Sequence, residues 1–466
     1  MSTFSGLNTA LSALYAQRRA LDLTGQNIAN ANTEGYSRQR LELSPVEALS
    51  TPARWSTARG AGDGVRITDV TRLHNEFMTN RTRAERGLNE YLQAQSAAYA
   101  NVEQTLGEPS DTGLQSQLSN YWSAWSDVAN RPGDTSARTQ LLARAGTITD
   151  TMHATRQNLD NLFGATREQL AADIAVVNQT SAGIAELNQR IVLARNGNLP
   201  TNELSDQRDT LVLRISALTG ASGQLNEDGS VNVALGGNLL VQGDIVRDLQ
   251  AVGSTTVDGI GINPVRVQYA DNASPAGITT GKLAAHLQVL TRTIPDAVAG
   301  LDSIANTLIT TVNAQHQLGY DISVTPPSST PTPQPGGPFF SGASAKDIAV
   351  AITDPAKIAA SSTPATPYQG DNANAMAAVA QDPQGADTQY RDFVVGIGIQ
   401  AQTVNRRATA QQVISDDATA AEQAESGVSL DEEMTNMILY QRAYEAAAKV
   451  VSTIDTTLDS LINMKR

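Results

Sequence analysis

Two stretches at opposite ends of the chain share one pattern, and that pattern narrows the fold more than any composition figure. From the N-terminus, Leu7, Leu11, Leu14, Leu21 and Ile28 step by 4, 3, 7 and 7, with Arg18 and Gly25 at the intervening positions. Leu430, Met434, Met437, Tyr444, Val451, Leu458 and Ile462 keep the same rhythm at the far end, with Gln441 and Asp455 in the gaps. Steps of three, four and seven hold one apolar stripe on one side of a helix, the signature of a heptad seam. A helix from Leu7 to Asn30 is about 36 Å long at ~1.5 Å per residue. Alone in water it is marginal, because nucleation is unfavourable and a single stripe has nothing to cover it. Paired coiled-coil helices at the termini are therefore expected, with the polar seam residues Arg18, Gln441 and Asp455 setting register. "SGVSLDEE" marks the second helix start: Ser429 and Glu432 have capping-box spacing, and Asp431, Glu432 and Glu433 complement the positive end of the helix dipole.

Between the ends, residues 75–217 read as long helices. In "REQLAADIAVVNQTSAGIAELNQRIVLA", Leu170, Ile174, Val177, Ile184, Leu187 and Ile191 again step by three, four or seven. The texture changes near Gly220, where short β-branched runs are split by Asp228-Gly229, Gly236-Gly237 and Gly243-Asp244, all hairpin signals. Helical pattern returns from Gly281 to about Gln317. "TPPSSTPTPQPGGP", from Thr325, excludes helix interior or central strand, "DIAVAIT" from Asp347 reads as one more strand, and helix resumes from about Ala373. The expected fold is mainly α with a β-rich insertion. It is an elongated hairpin-shaped chain with paired terminal coiled-coil helices, a helical-bundle middle and an exposed small β domain. The expected domains are 1–50 with 425–466 (axial), 51–219 with 282–320 and 366–424 (bundle), and 220–281 with 321–365 (β-rich, outer).

Chemistry is hard to find. The 466 residues carry a net charge of -14, so no basic stripe is available to displace counterions from phosphates, and nucleic-acid binding is not expected. No Cys is present, which removes disulfides, thiolate metal sites and Cys nucleophiles together. His74, His153, His286 and His316 have no paired-ligand spacing and read as surface or core-edge residues. "GAGDGVRI" from Gly60 lacks the Lys-Ser/Thr of a phosphate loop and reads as a turn into a strand. Trp122 and Trp125, three apart, read as an aromatic anchor between helices, and "NELSDQRDTLVLRIS" from Asn202 as a helix start with local ion pairs. No catalytic, cofactor-binding or metal residues are expected. No apolar run approaches the ~18 residues of a membrane span, and the N-terminus has no cleavable signal, so membrane insertion is not expected.

The two ends together resemble the axial proteins of the bacterial flagellum, the family of rod, hook and hook-associated proteins. "LNTALSALYAQRRALDLTGQNIANANTEGYSRQR" is similar to that family's N-terminal rod motif, and "SGVSLDEEMTNMILYQRAYEAAAKVVSTIDTTLDSLINM" to its C-terminal signature. The run Gly35-Tyr36-Ser37-Arg38-Gln39, "LSDQRD" from Leu204, "VNAQHQLGYD" from Val312 and "FFSGASAKDIAVAI" from Phe339 resemble the hook-associated members more than hook or rod protein. The resemblance implies a structural role without enzymatic activity: a ring of self-associating subunits at the junction of hook and filament. Implied partners are hook protein, a second hook-associated junction protein and a cytoplasmic export chaperone at the C-terminal helix. The implied location is the extracellular flagellum, reached without a cleaved signal. Another axial protein, hook or distal rod, is the nearest alternative, and a flagellar-exported enzyme or a cytoplasmic coiled-coil scaffold lies further off. In this reading Asn30, Asn32, Gly35 and Tyr36 form an elbow leading out of the first helix, and Glu34 replaces the family's usual Pro.

Overall fold

The computed structural model describes residues 3–46, 64–323 and 332–464. In chain order these form α1 (Thr3–Ala29), β1 (Gln39–Pro45), β2 (Val65–Arg72), α2 (Glu76–Leu106), α3 (Leu114–Asn130), α4 (Thr135–Asn196) and α5 (Asn202–Thr219). The strands β3 (Ser222–Leu225), β4 (Val231–Leu235), β5 (Asn238–Gln242), β6 (Ile245–Val246), β7 (Leu249–Val252) and β8 (Arg266–Tyr269) follow. After them come α6 (Gly281–Gln288), α7 (Ile294–Gln317), β9 (Phe340–Ser341), β10 (Ala349–Val350), α8 (Asp371–Ala378), α9 (Ala386–Ser426) and α10 (Leu430–Asn463). The chain is mainly helical with small antiparallel sheets, as its periodicities predict. It divides into two compact units, Met1–Gly87 with Asn178–Arg247 and Val413–Arg466, and Leu88–Val177 with Asp248–Gln412. Strands β3 to β6 fall in the first unit and β7 and β8 in the second.

In the first unit α1 packs along α10. The pair is antiparallel: Gly6 faces Ile454 near one end, and the Asn27 amide meets the Glu433 carboxylate at the other, twenty-one residues away on each helix. Ser429 caps α10 by accepting from the Glu432 N–H at 3.4 Å, one half of the expected capping box. The other half is absent because the Glu432 carboxylate holds Arg38 instead. Strands β1 and β2 pair antiparallel from Gln39 opposite Arg72 to Pro45 opposite Val65. Of "GAGDGVRI", the strand is β2, while the turn at 60–63 lies outside the described residues. Strands β3, β4, β5 and β6 form one meander with hairpin turns at the three dipeptides that the sequence marks. Gly236 and Gly237 fill a two-residue loop with φ of 57° and 85°, the conformation a type I′ turn needs at both positions. Val231, Val233 and Leu235 point inward in strict alternation. Asn188 of α4 binds this sheet, its amide donating to Val231 O and Gly243 O and accepting from Val231 N–H, all within 2.9 Å.

The second unit is built around an aromatic cluster. Tyr121 and Trp125 are fully buried on α3 against Phe339 and Phe340, with ring centroids 5.4 to 6.1 Å apart. Trp122 donates its indole N–H to Asp387 at 2.6 Å. These are the packing roles the Trp spacing predicts. His316 differs from expectation: it is fully buried, donating from Nδ1 to Gly337 O at 2.7 Å and accepting at Nε2 from Ala359 N–H at 2.9 Å. Burial pushes its pKa down, so it is a neutral structural tie. Arg138, also fully buried, donates to the carbonyls of Pro132, Pro355 and Ile358. One π-helical turn, Val289–Thr293, joins α6 to α7, directly before Pro295, whose ring and missing N–H disfavour a tight α-turn there. Residues 325–331 of the Pro-rich tract lie outside the described residues.

Candidate functional site

The end of α1 is where the start of α10, the first hairpin and α5 meet. Helix α1 stops at Ala29, and the Asn30 amide donates back to Gln26 O at 3.0 Å while the Thr33 hydroxyl donates to Asn30 Oδ1. The Tyr36 N–H donates to Thr33 O at 3.2 Å, closing a turn over Glu34 and Gly35. Gly35 has φ of 77°, and a Cβ there would sit 2.2 Å from Thr210 Oγ1. Only glycine satisfies both the left-handed backbone and the close approach. Asn32 and Glu34 are exposed.

Asn27, in the last turn of α1 and 1% exposed, organises this elbow. Its Oδ1 accepts from the Tyr36 hydroxyl at 2.8 Å and the Gln39 N–H at 3.1 Å. Its Nδ2 donates to Gln39 O at 2.9 Å and Glu433 Oε2 at 3.1 Å. All four hydrogen-bonding positions of the amide are thus filled. Glu433, 2% exposed, also accepts from Arg38 Nε at 2.7 Å, and the Arg38 N–H donates to Ser426 O. Burial, with Asp206, Glu203 and Glu433 nearby, pushes the Tyr36 phenol up to about 12, so it stays a donor.

From Ser37 the network runs to α5. The Ser37 N–H donates to Asp206 Oδ2 at 3.3 Å, Arg72 Nε lies 2.9 Å from Asp206 Oδ1, and Arg72 Nη2 donates to Asp209 Oδ2 at 2.8 Å. The ion pairs of "NELSDQRD" are therefore long-range ties to β2 as well as local ones, which sequence spacing does not reveal. Burial raises the Asp206 carboxyl despite Arg72. Burial also pushes Asp209 upward, but Arg208, Arg72 and Arg83 outweigh it and hold its pKa at about 2.

The apolar stripes are distributed unevenly. Within the chain α1 buries mainly small residues, Ala10, Ala16 and Ala20, with Leu23. Leu7, Leu14, Leu21 and Ile28 are half-buried and Leu11 is exposed. On α10, Met437, Val451 and Leu458 are half-buried, while Leu430, Met434, Tyr444 and Ile462 are exposed. Tyr15, Ile438, Leu439 and Val450 are exposed as well and fall outside the heptad reading. Sequence reasoning also missed Asn27, Arg38 and Glu433. Their only signal is a polar residue of hydrogen-bonding type close to each helix terminus. Among the described residues no group of acids and His has metal-binding geometry, and no helix is long and apolar enough to cross a membrane.

The first and last helices pair with each other, and the sequences of these two ends place the chain. Residues 7–36 match the family described as "Flagella basal body rod protein", and residues 423–464 match "Flagellar basal body rod FlgEFG protein C-terminal". These ends define an axial structural component of the bacterial flagellum. Residues 99–340 match "Flagellar hook-associated protein FlgK helical domain". The chain is 30% identical to flagellar hook-associated protein 1 of Bacillus subtilis over 99% of its own length and 98% of the relative's. It is 24% identical to that of Escherichia coli over 98% and 99%. The fold is similar to that of the flagellar hook junction protein FlgK from Burkholderia pseudomallei, with a TM-score of 0.62 at 18% identity, over 74% of this chain and 100% of the other. The chain belongs to the flagellar hook-associated protein 1 (FlgK) family, and it is a structural protein, not an enzyme.

Proposed function

We propose that this chain forms the junction between hook and filament as a ring of self-associating subunits, joined through the outward apolar rows of α1 and α10. The observation that supports this reading is the sorting of side chains by size. Small residues of α1 face inward, and large ones such as Leu11, Tyr15, Met434, Ile438 and Leu439 remain exposed. Rows of exposed large apolar residues mark an interaction surface. Each side chain gains roughly 1.5 to 3 kcal/mol when fully covered, so neighbours in a ring supply what one chain does not. The seam residues Leu7, Leu11, Leu14, Leu21 and Ile28, with Leu430, Met434, Met437, Tyr444, Val451, Leu458 and Ile462, are assigned to these contacts. Asn30, Asn32, Gly35 and Tyr36 are assigned to the elbow that sets their direction.

In the same reading, 1–50 with 425–466 is the axial layer, 51–219 with 282–320 and 366–424 the bundle, and 220–281 with 321–365 the outer domain. Hook protein and a second hook-associated protein are the axial neighbours. A cytoplasmic chaperone covers α10 before export without a cleaved signal. The test is Met434→Asp with Ile438→Asp in a strain lacking the native protein. Both positions are more than half exposed, so the purified variant keeps its helical circular dichroism and melting temperature. The expected result is loss of filaments with flagellin shed into the medium; normal filaments would refute the assignment.

A further inference from the structure

A cavity of about 140 Å³ lies in the first unit, with Asp209 in its wall. Its wall includes Arg72, Arg83, Arg195 and Arg208, with the hydroxyl residues Thr201 and Ser205. Three of these guanidinium groups, Arg72, Arg83 and Arg208, have side chains 12%, 7% and 4% exposed, and all three converge on Asp209. Asp206 adds a second buried carboxylate, but it faces Arg72 only. Three buried guanidinium groups thus share the Asp209 carboxylate, and Glu422 and Glu76 also act on Arg83. Arg83 is the least well matched: its Nη2 is 3.4 Å from Asp209, and its buried Nε has no hydrogen-bond partner. A buried guanidinium N–H without an acceptor is costly, and a guanidinium fork is shaped to receive the oxygens of phosphate or carboxylate groups. Arg195, exposed at the end of α4, adds a fourth cation, and Thr201 is the N-cap of α5 with no side-chain capping bond. Glu76 and His74 also line the cavity, burial lowers the His74 pKa, and the acids acting on the guanidinium groups are Asp206, Asp209 and Glu76, with Glu422 near Arg83 and Asp228 near Arg195.

We infer that this cavity is a binding site for a small free oxyanion of the phosphate or sulfate class, seated against Arg83, Arg195 and Arg208. The site is independent of the assembly surface. Its occupant accepts from the Arg83 Nε–H that has no partner and stiffens the attachment of α5 to β2 and α2.

The test is calorimetric titration of the full chain with inorganic phosphate in chloride buffer at constant ionic strength. One saturable site per chain is expected. Arg195→Met, which removes an exposed side chain, weakens binding about tenfold or more, the scale of a charge-assisted hydrogen bond. Arg190→Met, on the same helix but outside the cavity and 54% exposed, leaves the affinity unchanged. Arg83→Lys keeps the charge, removes the fork and weakens binding as well. Heats that never saturate, or equal binding in Arg195→Met and Arg190→Met, would overturn the site.

Discussion

Glu433→Ala is the substitution that most directly tests whether the elbow couples the two ends of the chain. The carboxylate is 3% exposed and accepts from Arg38 Nε at 2.7 Å and Asn27 Nδ2 at 3.1 Å. Its loss leaves one Asn27 N–H unsatisfied, at about 1 kcal/mol, and removes a charge-assisted bond of about 1.5 to 3 kcal/mol. Arg38 is 19% exposed and keeps Glu432, so part of its charge is still met by a partner and by water. The net cost is about 2 to 3 kcal/mol, borne by the local opening of α1 from α10. At 1.4 kcal/mol per tenfold, that raises the opening equilibrium by about 30- to 150-fold. Amide hydrogen exchange read by mass spectrometry resolves this, because peptides covering 20–29 and 430–440 exchange through that opening. They should lose protection by that factor while peptides from α3, in the other unit, keep theirs. Unchanged protection at 20–29, or an equal loss in α3, would refute the coupling.

Gly35→Ala should cost at least about 1 to 3 kcal/mol in urea unfolding, because φ of 77° is strained for alanine and the new Cβ meets Thr210. Glu34→Pro should stabilise by about 0.4 to 1 kcal/mol, since residue 34 is the turn position where proline presets φ; a destabilised variant would show that the turn is of another type. Asp209→Asn should cost about 2 kcal/mol at pH 7, on the scale of a pKa held at about 2 against an ordinary 3.8. A depressed carboxyl contributes its stability above the unfolded pKa and loses it as pH falls, so the deficit of the variant should shrink between about pH 4 and pH 2. His316→Leu strands the Gly337 carbonyl and the Ala359 N–H and should cost about 2 to 4 kcal/mol, with a change in tryptophan emission because Trp125 lies 6.2 Å from the imidazole.

The helices were legible wherever apolar residues recur every three or four positions, and the hairpins wherever Gly pairs with Asp or Gly, because both signals are local. The Trp pair on α3 was legible for the same reason. What escaped was long-range polar pairing. Arg38 and Glu433 are 395 residues apart, and nothing within either segment names the other. His316 looked like a core-edge residue because its partners, Gly337 and Ala359, are backbone groups in loops with no periodicity to read. The direction in which a heptad row faces was also illegible. The row Ala16, Ala20, Leu23 and Asn27 also steps by four and three, and only packing shows that α1 turns this row, rather than the leucine seam, toward its own chain.

Asn27 closes its last bond with a residue 406 positions downstream. The shape of the first forty residues is therefore completed by something synthesised near the very end. A chain cut short before Glu433, or shifted in register along α10, leaves that amide with an empty valence and the elbow without its clamp. The register of the start of α10 is thereby read at the end of α1, inside a single molecule. If the chain assembles as proposed, the same clamp ties the direction of the elbow to the correct register of α10 before any neighbour is met.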